Sequence, residues 1–482
     1  MDKKLAQNAI FNILYKVLNI IFPLITSAYV SRVLLADGIG KAEYARNFAY
    51  IFALIASLGL PAYGTKVIAS LKNSSNSIDI NKNFSELLII LITSSLICFT
   101  AYSCIVLSIP KFSVEKPLYF ATGIHILLIS INTDWLYQGF EEYKYITLRS
   151  MIVKVVSLIA ILLFVNNKSD IVIYALITSL AIAGNYIFNI INARKLVLFT
   201  IRGLKIARHL KPVLILLFST IAIEMYSKID ILMLGYYCED SNIGYYSNAV
   251  KIINAVLTAV TAITNVYLPR LSLLYKENNN EFKKLANEGT KILLTLTVPC
   301  SIGLILISDA FVCTVFGNDF YDSSRTLKIL CPLIFIKGVG DLLNYQVVIS
   351  AGKEKYFLYT NTTAAIINII LNYFFIQILA QNGAAFASVI SEIVVNGGML
   401  IISRKIVELK ISINYLIKIF FATAIMSGAV IGIRLLYLNT ILEILFSVMC
   451  GGIVYFIANI LFQNEIILRL INVFKNNRQT NM

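Results

Sequence analysis

The chain has 482 residues, 58% of them hydrophobic and only 14% charged, with a mean hydropathy of +0.78. Soluble domains carry about a quarter of their residues as charges, so this composition excludes an ordinary soluble enzyme and points to a polytopic membrane protein. The net charge of +15 would suggest a nucleic-acid partner in a soluble chain; here the placement of the cations carries the information.

Apolar runs of roughly 18–25 residues, each able to cross a bilayer core of about 30 Å as a helix, recur along the whole chain. They predict fourteen helical spans at about 9–31, 44–66, 86–108, 117–138, 149–165, 170–192, 212–236, 244–269, 289–310, 326–349, 357–377, 383–403, 415–436 and 441–462. The first run has no small-residue cleavage site behind it and reads as a retained span. With both termini on one side, 28 of the 41 basic residues fall on that side or its flanks, and six fall on the other. Lys and Arg collect in cytoplasmic loops, so the asymmetry predicts cytoplasmic termini. Loops on the opposite side are short, about fifteen residues at most, which leaves no room for an external catalytic domain. Seven cysteines without a CxxC pair and two distant histidines, His125 and His209, predict neither a disulfide framework nor a metal or other cofactor site.

The stretch RKLVLFTIRGLKIARHLK (194–211), between spans six and seven, is the longest basic segment. Arg202, Lys205 and Arg208 recur every three residues, which suits an amphipathic helix on the inner leaflet or a charged linker. It separates an N-terminal lobe (1–193) from a C-terminal lobe (212–403), followed by spans thirteen and fourteen (404–462) and a tail (463–482). The lobes look related: IGKAEYARN (39–47) resembles IGYYSNAVK (243–251), and QGFEEYKY (138–145) resembles SAGKEKYF (350–357). Spacings of about 204 and 213 residues imply a repeated six-helix unit, as in transporters whose site lies between repeats.

An ionisable side chain in mid-span costs about 2.5–3.5 kcal/mol on insertion scales and so tends to face a bundle interior or a wet cavity. IEMYSKIDILML (223–234) sets Glu224, Lys228 and Asp230 inside span seven. Glu224 and Lys228 are four apart and share a helix face; Asp230 needs another neighbour. Lys337 and Asp341 repeat the four-residue spacing in span ten, and Glu392 lies in span twelve. These groups fit either internal ion pairs or a gating and ion-coupling set. Lys16, Arg46 and Lys251 read as cations without an acidic residue at helical spacing, hence, with Lys337, as the lining of a cationic cavity; Lys16 also suits snorkelling to the interface. Amides repeat in span six (Asn185, Asn189, Asn192) and span eleven (Asn368, Asn372), as interhelical glue or, for Asn368 and Asn372, sugar contacts. Gly428 and Gly432 form a GxxxG, and Trp135 and Tyr137 read as interface-belt aromatics.

Several of these stretches, DWLYQGFEEYKYITLRSMIVK (134–154), YSKIDILMLGYYCEDSNIGYYSNAVKI (226–252), SAGKEKYF…INIILNYFF (350–375) and GAAFASVISEIV, together resemble the Wzx-type polysaccharide repeat-unit flippases. These exporters share a superfamily (multidrug/oligosaccharidyl-lipid/polysaccharide, MOP) with MATE drug exporters and the peptidoglycan-precursor flippase. The resemblance implies an all-α V-shaped bundle of two six-helix lobes plus two C-terminal helices, with a central cationic cavity. It implies a non-enzymatic flippase that moves an undecaprenyl-diphosphate-linked oligosaccharide across a bacterial inner membrane, for O-antigen or capsule synthesis, alongside a polymerase and a chain-length regulator. In the peptidoglycan relative, arginines of spans one, two and eight face the cavity; Arg46 and Lys251 fit that pattern, and span one offers Lys16 and Arg32. The rival expectations are a drug/cation antiporter and a peptidoglycan-precursor flippase.

Overall fold

The computed structural model describes residues 3–72, 77–264, 266–469 and 471, with side chains from residue 22 onward apart from 77, 219, 222, 223, 225–227, 354 and 358. Every regular element among the described residues is helical. The chain divides into two compact units, Met1–Ser247 and Asn248–Met482.

The first unit is built around α1 (Lys3–Ser57), two helices joined at Leu35, whose φ of 58° interrupts the α-helical backbone. Behind it come α2 (Leu60–Leu71), α3 (Ser77–Ser108), the single turn α4 (Pro110–Ser113), α5 (Lys116–Ile129) and α6 (Asp134–Gly139). The unit is completed by α7 (Tyr143–Phe164), α8 (Ile171–Ala193), α9 (Ala207–Tyr237) and the first turns of α10 (Asp240–Thr264). Helices α3, α5, α7, α8 and α9 all pack on α1. The packing is aromatic where α1 meets α3 and α4: Phe48 stacks on Phe112 at 4.7 Å, and Phe52 meets Tyr102 edge-on at 5.3 Å. Such pairs add about 0.5–1.5 kcal/mol beyond their buried area.

Trp135 and Tyr137 are not interface aromatics. Both are 1% exposed, because α6 tucks under α2, where a side chain on Gly64 would collide with the Trp135 indole. Burial is tolerable because both polar tips are satisfied: Trp135 Nε1 donates to the Asn132 carbonyl (2.9 Å) and Tyr137 Oη to that of Asn189 (2.8 Å).

The 194–206 stretch is not an amphipathic helix either; it runs as turns and extended chain into α9. Side chains of α3 hold its backbone donors: Leu198 N to Asn81 (2.8 Å), Thr200 N to Ser85 (2.8 Å) and Lys205 N to Glu86 (2.6 Å). Gly203, at φ 69°, supplies a left-handed turn that a helix could not contain. The buried Glu86 carboxylate also accepts from Arg208 (2.6 Å) and pairs with His209 (2.7 Å), whose other ring nitrogen meets Tyr63 Oη at 2.9 Å. The charges that suggested a membrane-surface helix therefore serve partly to fasten the linker.

The second unit contains the rest of α10, then α11 (Tyr267–Glu277), α12 (Asn279–Phe316), α13 (Tyr321–Leu330) and α14 (Pro332–Gly340). A π-helical segment, Asp341–Gln346, leads into α15 (Val347–Ser350). Two hairpins follow, α16 (Glu354–Leu379) with α17 (Gln381–Arg404) and α18 (Ile413–Arg434) with α19 (Thr440–Leu461). Helix α12 is the hub, packing on α11, α13, α14, α18 and α19. Its 38 residues span about 57 Å, more than a bilayer core. Asn278 caps it by accepting from Glu281 N (3.2 Å), and Ser412 caps α18 from Tyr415 N in the same way. The GxxxG glycines Gly428 and Gly432 have open space around them; the close approach between α18 and α19 is at Gly451 against Val430.

Eleven helices among the described residues are long and apolar enough to cross a membrane. The expected count of about fourteen is consistent with this: α1 continues through its kink into a second span, span four is broken between α5 and α6, and span seven falls within α9.

Candidate functional site

Within the first unit, one face of the second half of α1 carries Glu43, Arg46, Asn47 and Tyr50, at spacings of three and four. Arg46 forms an ion pair with Glu43, one turn back on the same helix. This corrects the reading of Arg46 as a cation without an acidic residue at helical spacing: AEYARN places Glu43 three positions before it. The pair is lopsided. Glu43 is buried, with its side chain 3% exposed, whereas that of Arg46 is 37% exposed. A guanidinium has five donor hydrogens in a planar fork, so Arg46 presents a further donor edge outward.

Helix α9 brings Glu224 and Lys228 to the same place. Tyr50 Oη donates to Glu224 (3.0 Å), and Lys228 Nζ lies 5.5 Å from the centre of the Tyr50 ring. The two charges four residues apart are thus bridged by an aromatic side chain of α1, one face of which is a cation–π seat. Lys228 is near enough to feel the charges of Arg46, Glu43 and Glu224. These two cations and two anions make the cluster formally neutral rather than positive. Asp230, expected to need a different neighbour, is buried and accepts from Tyr246 Oη at 2.5 Å. The amides of span six serve a second buried network: Arg149 donates to Asn185 (3.0 Å) and Asn189, and pairs with Asp134 (3.0 Å).

In the second unit, Lys337 on α14 does not pair with Asp341. Its Nζ lies 2.7 Å from Glu392 of α17, and Asp341 accepts instead from Thr264 and from Gln346 (3.3 Å). The turn between Lys337 and Asp341 is α-helical, with the Asp341 N–H bonded to the Lys337 carbonyl, so it is the carboxylate offered by α17 that draws the ammonium away; the π-helix begins at Asp341, and π-bulges often mark functional sites. Asn396 extends the chain, donating to the Glu392 carboxylate (3.0 Å) and accepting from Asn344. Lys251 donates to Asn248 at 3.2 Å. Asn368 and Asn372 are buried and bonded to each other at 3.0 Å, a position that suits packing better than sugar contact. The side chain of Lys16 lies outside the described residues.

Sequence reasoning missed Glu43, Tyr50, Asn344 and Asn396. Glu43 was legible at i−3. Tyr50 was one of 27 tyrosines, and only tertiary packing selects it. No group of three or more metal-binding side chains occurs among the described residues.

A helical chain of this hydropathy, with ion pairs among its apolar helices, defines a polytopic membrane protein. Comparison with known proteins places it more closely: the profile described as "Polysaccharide biosynthesis protein" matches residues 5–274, more than half the chain, and the chain belongs to that family. The MatE profile matches residues 216–374. The "Putative O-antigen transporter" of Escherichia coli (strain K12) is 25% identical over 406 residues, covering 83% of this chain and 97% of that protein. Among solved structures, the lipid II flippase MurJ in an inward closed conformation superposes with a TM-score of 0.77 at 16% identity, covering 96% of this chain and 100% of that one. An inward-facing multidrug resistance MATE family transporter of the MOP superfamily gives 0.64 at 14% identity, covering 80% and 93%. The fold is that of the MOP exporters, as the resemblance in the sequence implied.

Proposed function

We propose that the protein is a flippase for lipid-linked oligosaccharide repeat units in O-antigen or capsule biosynthesis. It carries the undecaprenyl-diphosphate form from the inner to the outer leaflet of a bacterial inner membrane by alternating access, with both termini cytoplasmic. The family membership and the similarity to an O-antigen transporter support the substrate class. The observation that carries the mechanism is the lopsided pair Glu43–Arg46, a cation held from behind by a buried carboxylate with a third of its side chain open.

A diphosphate cannot enter hydrocarbon without losing hydration worth many kcal/mol. Arg46 can offer its remaining donors to one phosphate, and Lys228 can leave the Tyr50 face to meet the second. Charge-assisted bonds to phosphate are roughly twice as strong as neutral ones, which favours this exchange. Because the resting cluster is neutral, an arriving dianion has to be balanced, and protonation of both Glu43 and Glu224 would do so. Moving two uncompensated negative charges outward would gain about 4.6 kcal/mol per 100 mV of inside-negative potential. Lys251, Lys337, Asp341 and Glu392 belong to the second lobe's share of the path, and a polymerase and a chain-length regulator would take the product.

The test is a proteoliposome assay in which a lipid-diphosphate-linked oligosaccharide starts in one leaflet and its sugars become accessible to an impermeant lectin as they cross. Transfer by the purified protein, lost on Arg46→Gln at unchanged protein level, is expected; transfer of a cationic dye with no transfer of the lipid-linked sugar would instead establish a drug antiporter.

A further inference from the structure

In the second unit, the first turns of α12 overhang the part suited to lipid: residues 279–291 carry five charges, while 292–308 carry none. Asn280, Lys283, Lys284, Asn287, Glu288 and Lys291 follow helical spacing along one face of that overhang and line a hollow of about 430 Å³, within the range of small-ligand sites. The facing wall comes from the segments after α17 and α19, with Lys410 and Arg469 among its residues. We propose that this hollow binds the phosphate-bearing headgroup of an anionic phospholipid.

Charge is the first argument. The lining holds five cations and three carboxylates. Lys291 pairs with Glu465 (2.7 Å), Arg469 with Glu288 (2.9 Å) and Lys410 with Glu408 (3.7 Å). That leaves Lys283 and Lys284, adjacent on α12, as the excess. Basic pockets at the cytoplasmic ends of membrane helices select anionic headgroups.

Position is the second argument, and it favours a lipid over free phosphate. Helix α18 starts three residues after Lys410 and turns Ile413 (76% exposed) and Phe420 (67%) outward. Acyl chains can therefore lie along α18 while the headgroup sits among the lysines. Asn287 braces the wall, accepting from Lys410 N (2.6 Å) and donating to the Glu408 carbonyl (3.0 Å), so the hollow is built without a ligand in it. The assignment to the inner leaflet rests on the orientation proposed above.

The experiment is native mass spectrometry of the full chain in detergent, titrated with phosphatidylglycerol, with phosphatidylcholine of matched chains, and with inorganic diphosphate. Phosphatidylglycerol adducts should dominate, weaken with added salt, and fall about fivefold for each lysine removed in Lys284→Gln and in Lys283→Gln/Lys284→Gln. Both changes are at partly or fully exposed positions, and an unchanged melting temperature checks the fold. Equal adducts with the two lipids, or adducts indifferent to both variants, would overturn the proposal. Binding of diphosphate without lipid preference would also overturn it, marking a free-anion site instead. Absence of glycan transport by the unaltered protein, with phosphatidylglycerol adducts intact, counts against the proposed function and leaves this site standing.

Discussion

If Arg46 is a ligand for the diphosphate rather than a structural partner of Glu43, removing both charges together should rescue stability but not transport. Arg46→Gln strands the Glu43 carboxylate, whose side chain is 3% exposed. Breaking a buried pair from that side costs about 3–5 kcal/mol. Glu43→Gln strands a guanidinium that is 37% exposed; the lost charged hydrogen bond is worth about 1.5–3 kcal/mol, and exposure puts the cost at the low end. The double variant Glu43→Gln/Arg46→Gln leaves no stranded charge. It should be more stable than Arg46→Gln alone, with a coupling of about 0.5–3 kcal/mol for residues in direct contact. Melting of the purified variants, read together with leaflet transfer in proteoliposomes, separates the two roles. Recovery of transport in the double variant to the wild-type rate would refute the reasoning, because a phosphate ligand cannot be replaced by deleting its counter-ion.

The same logic applies in the second unit: Lys337→Gln should destabilise the protein by leaving Glu392 buried and without its cation, and Lys337→Gln/Glu392→Gln should recover most of that loss in a thermal melt. Glu86→Gln should weaken the three contacts that fasten the linker into α9, seen as faster tryptic cleavage after Arg202 and Lys205 with the two units otherwise intact. Trp135→Ala should cost about 3–5 kcal/mol, measurable as a lowered melting temperature; a loss below 1 kcal/mol would contradict its placement beneath α2. Gly40→Ala and Gly244→Ala should each destabilise by about 1–3 kcal/mol, as overpacking does, because a side chain on either glycine would overlap a backbone carbonyl, that of Asp240 or of Ala36 respectively.

Hydropathy and the distribution of Lys and Arg were enough to read an all-helical membrane chain, because both follow from the cost of placing charge in hydrocarbon, which acts on sequence directly. The breaks within spans were less legible. Leu35 takes φ 58° and Asp341 opens a π-helix, and neither residue type announces this, since the chain's course there is set by tertiary packing. Candidate site positions were found where charge interrupts an apolar run, as at Glu224 and Lys228. Their partners were not, because pairing across helices has no local signature: Glu392 reaches Lys337 from 55 residues away, and Tyr50 reaches Glu224 from 174. Glu43 is the exception, visible one turn from Arg46. The basic linker misled for a different reason: its three-residue rhythm is compatible with a helix, but the α3 side chains that capture its amides lie more than 110 positions earlier.

Gly40 and Gly244 are 204 positions apart, and so are Ala36 and Asp240, the residues whose carbonyls they rest against. Each copy of the motif therefore contributes one bare Cα and one oxygen, and receives the same from its twin, as in a two-fold interface folded into a single chain. A contact that mirrors itself has no spare room on either side: one added methyl group lifts both halves of the crossing at once. The two glycines hold the crossing in register, whereas the matched positions beside them, Lys41 against Tyr245 and Arg46 against Val250, carry unlike side chains.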